Sequence, residues 1–183
     1  MEKQDRIRGA LEDYPTIPIR GVEMKSKYGG KRHFIYLAGS ISSDSRTYTW
    51  RKILTDLMKY DGVVILDPCD TQFNRGLFEG GNWNLETISS MPGRNLLKPK
   101  DFIMIKKASA MVWNVDYYTP EKPQIGSVIE FEWAVKWFGI PVIIICSEPD
   151  TNPYALHPWI KQYAGAIVPT VEDAVFLIRE FFL

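Results

Sequence analysis

From residue 33 to the end, the chain alternates solid apolar runs with apolar residues at helical spacing. That pattern predicts strands exchanged with helices. Residues 34–38 form a solid run, read as the first strand. A helix follows over about 46–59, with Trp50, Leu54, Leu57 and Met58 on its core face, and residues 63–66 form a second strand. Residues 67–97 are rich in Gly and Asn and carry Phe73, Phe78 and Trp83. Connections of that length are uncommon unless functional. Pro99 suits a first helical position and opens a helix to Lys107. Residues 110–113 are a short buried strand. Pro120, Pro123 and Gly126 then break the chain before an apolar helix over about 127–138. A strand at 141–146, a short one near Ile167 and a helix from Val171 complete the set. Such alternation implies an α/β fold, a parallel sheet with helices on both faces. Residues 1–32 are polar and punctuated by Pro15, Pro18, Gly21 and Gly29-Gly30. They read as an extension before a domain over 33–183.

Within this pattern Glu130 stands out. On a helical period it shares its stripe with Trp133, Ala134 and Trp137, while Glu132 and Lys136 can pair on another face. Two explanations compete. Ser127-Val-Ile-Glu130 fits a capping box, in which the Glu reaches back to the N-cap amide. Alternatively, the helix follows a strand's carboxyl end, where open α/β sheets bind ligands. There the helix dipole would favour an ionised carboxylate serving as nucleophile or base.

Composition narrows the function without choosing it. The 183 residues are 45% apolar and 24% charged, ordinary for one soluble domain with a sizeable core. Basic and acidic residues both number 22, which argues against binding to a nucleic-acid polymer. No apolar run reaches the roughly 18 residues a membrane helix needs, and the first fifteen residues lack a signal peptide's apolar segment. Cys69 and Cys146 have no metal-ligand spacing around them. A reducing, cytoplasmic setting is therefore expected, with no metal and no cofactor.

Several further residues fall at the edge where Glu130 is expected. Gly39, Ser40, Ile41, Ser42 and Ser43 form a flexible turn before a helix N-terminus, which suits a phosphate or other anion. The turn is neither GxGxxG nor a Walker sequence, and N-capping explains its hydroxyls as well. Arg46 lies on the inner stripe one turn before Trp50, or it is a solvated charge. Asp101 shares a stripe with Phe102, Ile105 and Ala108, though first-turn dipole complementation also accounts for it. Asn114 and Asp116 leave the third strand, where turn formation is the plain alternative. Tyr36, within strand one, needs a partner for its hydroxyl, and a carboxylate at that edge would serve.

Phe34-Ile-Tyr-Leu-Ala-Gly-Ser, Asp101, Val-Trp-Asn114-Val-Asp116, Gly126-Ser127-Val-Ile-Glu130-Phe-Glu-Trp-Ala and Gly139-Ile-Pro-Val-Ile together resemble the nucleoside 2-deoxyribosyltransferase family. Its relatives include the 2'-deoxynucleoside 5'-monophosphate N-glycosidases. The resemblance spans residues 33–146. It implies a flavodoxin-like (Rossmann-like) three-layer sandwich around a five-stranded parallel sheet, and a homo-oligomer. It further implies that Glu130 attacks the sugar's anomeric carbon, that Tyr36 orients the carboxylate, and that Asp101 contacts the base or helps move its proton.

Two departures stand against the family pattern. Gln124 occupies a position where transferases often carry an Asp, so base protonation there falls to Asp116 if to any residue. The family's C-terminal Asn, lent by a neighbouring subunit, has only Asn152 as a candidate. The expected activity is N-glycosidic cleavage of a (deoxy)nucleoside or nucleotide, with deoxyribosyl transfer to a second nucleobase. The alternatives are hydrolysis of deoxynucleoside 5'-monophosphates and a nucleotide-binding module without turnover. Gly39, Ser40, Arg46, Asn114, Asp116, Gly126 and Ser127 are the expected substrate contacts.

Overall fold

The computed structural model describes residues 32–41, 45–70 and 94–183. The extension, Ser42, Ser43 and the loop aromatics Phe73, Phe78 and Trp83 lie outside them.

Five strands are described: β1 (Phe34–Gly39), β2 (Val64–Leu66), β3 (Ala110–Asn114), β4 (Val142–Ile145) and β5 (Ala166–Val168). All pair in parallel, in the order β2-β1-β3-β4-β5. This is the flavodoxin-like order, whose switch point lies between β1 and β3. The middle strands are apolar along their whole length because helices cover both faces. On one face Ile35, Leu37, Val112, Ile143 and Ile145 pack against α1 (Arg46–Leu57) and α6 (Val171–Phe182). On the other, Tyr36, Ala38, Met111, Trp113 and Ile144 meet α2 (Leu97–Lys107) and α3 (Ile125–Glu132). The α/β sandwich and its five-stranded parallel sheet are as the alternation implies. No described helix is long and apolar enough to cross a membrane.

Several local expectations give way to tertiary structure. Leu57 is 38% exposed, and the inner stripe of α1 holds Thr47 and Arg51 beside Trp50, Leu54 and Met58. A 3₁₀ turn at Arg94–Leu96 starts the next helix early, so Pro99 is its third residue rather than its first. Its missing N–H is harmless there, since the first turn has no carbonyl for it to reach.

The start of α3 is the largest correction. Gln124 is the N-cap, and no side chain caps the helix. Ser127 is therefore the third helical residue and Glu130 the sixth, which removes the capping box. A π turn over Trp133–Trp137 continues α3. The wider turn rotates the stripe: Ala134 stays in the core, while Trp137 is turned 66% to solvent. Lys136 leaves Glu132 and donates to the Tyr163 hydroxyl at 2.6 Å. Two short helices absent from the sequence reading, α4 (Pro153–Leu156) and α5 (Pro158–Tyr163), each begin on a proline.

Candidate active site

The carboxyl ends of β1 and β3 open onto a cavity of about 750 Å³, a volume that holds a small ligand. Its wall is built by Gly39 to Ile41 with the start of α1, Asp116 to Thr119 after β3, Lys122 to Ser127 leading into α3, from which Glu130 follows, and Ser147 after β4.

Gly39 makes the turn after β1 possible. Its φ is +145°, and a Cβ placed there would stand 2.9 Å from the Asn114 carbonyl oxygen. Only glycine tolerates both the dihedral and the approach. Ser40 then donates its hydroxyl to the Tyr117 carbonyl at 2.8 Å, tying the two loops of the wall together. Arg46, exposed at the first position of α1, reaches over the Tyr117 ring, its guanidinium carbon 5.9 Å from the ring centroid. A cation and a helix N-terminus thus meet at one end of the cavity, a setting that favours an anion.

Glu130 is a half-buried carboxylate that lines the same cavity. As the sixth helical residue it lies beyond the reach of the helix dipole's favourable end. Burial pushes its carboxyl up to about 7, and the negative charge of Asp101 adds to the rise. The Tyr36 hydroxyl, Arg51 and Lys100 pull the other way. The expectation of a carboxylate kept ionised by the helix dipole gives way to one that burial raises to about 7.

Tyr36 is fully buried, with its hydroxyl directed at Glu130. The two interact, although the hydroxyl completes no well-aligned hydrogen bond. Burial and the carboxylates of Glu130 and Asp101 push the phenol far above its ordinary range, so it stays a proton donor. Asp101 is the fifth residue of α2, past the first turn, so dipole complementation does not explain it. It pairs with Lys100 at 3.3 Å and is itself raised by burial. Tyr36 and Asp101 back Glu130 from behind the cavity wall rather than lining it.

Turn chemistry accounts for much of Asn114 and Asp116. Buried Asn114 accepts from the Asp116 amide at 2.9 Å, and Asp116 accepts from the Ser147 amide at 2.7 Å. Asp116 nevertheless lines the cavity, whereas Asn114 supports it from below. Gly126 and Ser127 line it at the start of α3. Asn152 is consumed within its own fold: it donates to the Val115 carbonyl and caps α4.

Gln124 carries a signal that sequence reading used only as a departure. It is buried, its Oε1 accepts from Trp113 Nε1 at 2.7 Å, and its Nε2 has no partner among the described residues. Among the described residues, no group of three or more His, Cys, Asp or Glu side chains could hold a metal.

No protein-family model and no curated protein matches the sequence. Solved structures do match. A 2-desoxiribosyltransferase from Leishmania mexicana superposes with a TM-score of 0.58 at 18% identity, over 82% of this chain and 99% of that one. The chain has the deoxyribosyltransferase fold. A CMP N-glycosidase from Clostridium botulinum covers 81% of this chain and 99% of its own at 12% identity. Its TM-score of 0.49 is too low to add to the assignment. Within the deoxyribosyltransferase fold, Gly39, Ser40, Arg46, Asp116, Gly126, Ser127 and Glu130 share one cavity. Arg51 and Lys100, which no sequence pattern singled out, carry the positive charges felt by Glu130.

Proposed function

We propose that this chain cleaves the N-glycosidic bond of a (deoxy)nucleoside or nucleotide through Glu130 and transfers the deoxyribosyl group to another nucleobase. Glu130 itself carries the reading. It is a carboxylate on a cavity wall that caps no helix and, among the described residues, enters no ion pair. Such a group, held at the cost of desolvation, is of use where positive charge develops. The similarity in fold to a 2-desoxiribosyltransferase supports the same class of substrate.

In the reaction, a Glu130 oxygen bonds to the anomeric carbon as the bond to the base nitrogen breaks. The base leaves with the electron pair and takes up a proton. We assign the supply or relay of that proton to Asp116 and Asp101, and the orientation of Glu130 to Tyr36. A second base nitrogen then displaces Glu130 and completes transfer, by the logic of a retaining glycosidase.

Water in place of the second base gives hydrolysis. Arg46 at the start of α1 favours this second reading, because a deoxynucleoside 5'-monophosphate brings the anion that a free nucleoside lacks. A module that only binds nucleotides gains nothing from a buried carboxylate facing its ligand. The test is to incubate the protein with deoxynucleosides and deoxynucleoside monophosphates, with and without free bases, and to chromatograph the products. Base exchange supports transfer, and free base with sugar phosphate supports hydrolysis. No base release from any substrate would overturn both.

A further inference from the structure

Among the described residues Arg51 is the deeply buried cation, 2% exposed. Its place follows from a mismatch in strand length. β1 pairs with β2 only as far as Tyr36 and Leu66, then runs on to Gly39. His33 accepts from the Val64 amide, so alternation turns the Leu37 and Gly39 carbonyls toward the same side. Past Leu66 no strand among the described residues meets them there. Arg51 does: Nη1 donates to Leu37 at 3.0 Å and Nη2 to Gly39 at 3.2 Å. Nη1 also donates to the Asp67 carboxylate at 3.2 Å, and the guanidinium lies over the Trp50 ring, 4.7 Å from its centroid. Asp67 in turn accepts from the Cys69 amide at 2.8 Å. Two carbonyls two residues apart call for a planar, two-armed donor, which lysine cannot supply.

We propose that Arg51, paired with Asp67, is a positioning residue for the Glu130 site: its fork replaces the missing strand beside Leu37 and Gly39, and its charge stands behind the Glu130 carboxylate. Arg51 belongs to the α1 layer and Glu130 to the α3 layer, and Gly39, whose carbonyl Arg51 holds, lines the same cavity as Glu130. Among the described residues, the groups that act on the Glu130 carboxyl are Tyr36 from β1, Lys100 and Asp101 from α2 and Arg51 from α1, and Glu130 in turn acts on the Cys69 thiol. Of these, Arg51 and Lys100 favour the ionised carboxylate and Asp101 opposes it. This role rests on reading Glu130 as the reacting carboxylate, and its test has an arm independent of turnover.

The experiment compares the parent with Arg51→Lys and with the double variant Arg51→Met/Asp67→Asn, which removes the cation while keeping an acceptor for the Cys69 amide. The Glu130 carboxyl is titrated by NMR after ¹³C labelling, and kcat and KM for base release are measured against pH. In the double variant the Glu130 midpoint should rise by about half a pH unit or more, and the acid limb of kcat/KM should follow it. Arg51→Lys keeps the charge and loses the fork. It should leave the midpoint within about 0.2 pH units and raise KM about threefold or more, with kcat within about twofold. An unmoved midpoint in a folded double variant would overturn the proposal, as would a normal KM in Arg51→Lys. Should the double variant fail to fold, the Lys variant decides alone. A shifted midpoint in a protein that releases no base would uphold the charge coupling and sink the enzymatic reading instead.

Discussion

Replacing Glu130 by glutamine should abolish base release and at the same time make the fold more stable at neutral and alkaline pH. Burial moves this carboxyl from 4.5 to about 7. Between those values the folded protein holds a proton that the unfolded chain has already lost. Stability therefore falls as pH rises from about 4.5 to about 7 and stays reduced above that. The gap between the two values corresponds to about 3 kcal/mol, taken as a ceiling because a half-buried carboxylate retains some hydration. Glutamine has the same shape, carries no charge and still offers an oxygen to the Tyr36 hydroxyl. Thermal unfolding of both proteins from pH 4 to 8.5 is the assay. The curves should coincide at pH 4. By pH 8 the variant should lead by about 1–3 kcal/mol, or roughly 2–10 °C for a domain of this size. A variant less stable than the parent at pH 8 would show that the carboxylate stabilises the fold, as a cap or hidden ion pair would. A variant that still releases base would end the nucleophile reading.

Tyr36→Phe should lower kcat about tenfold or more while leaving the folded state near parental stability, since the hydroxyl it removes completes no well-aligned hydrogen bond; steady-state kinetics beside thermal unfolding checks this. Arg46→Ala should reduce the affinity for deoxynucleoside monophosphates about tenfold and barely change that for nucleosides, as read by calorimetric titration. Equal loss for both ligands would mean that Arg46 shapes the cavity without holding an anion. Gly39→Ala should destabilise the protein by about 1–3 kcal/mol in urea unfolding, because the new Cβ meets the Asn114 carbonyl at 2.9 Å with φ at +145°.

The sheet was legible because burial on both faces writes itself as unbroken apolar runs, and β1, β3 and β4 each show one. Short helices were not: α4 and α5 contain too few residues to display a period, although Asn152-Pro153 and His157-Pro158 carried the start signals. The beginning of α3 misled for a sharper reason. Ser127-x-x-Glu130 imitates a capping box, but Gln124 is already fixed as the N-cap residue by distant groups. Trp113 holds its side chain, and the Tyr154 hydroxyl accepts from its amide at 2.6 Å. The π turn that follows, which sends Trp137 outward, has no local signature.

Glu130 and Asp101 could be found from sequence because each interrupts an apolar stripe, and an interruption is visible within a few residues. Arg51 stands at helical spacing from Thr47, Trp50, Leu54 and Met58 too, yet it was not singled out from the sequence. What makes its burial tolerable is a set of acceptors 12 to 16 residues away, on β1 and after β2. A buried charge is stable only where partners surround it, and those partners are assembled by the sheet order, not by neighbours in sequence. A carboxylate on an apolar stripe is therefore exposed by local pattern, while the buried cation near it is explained only once the strands are in register.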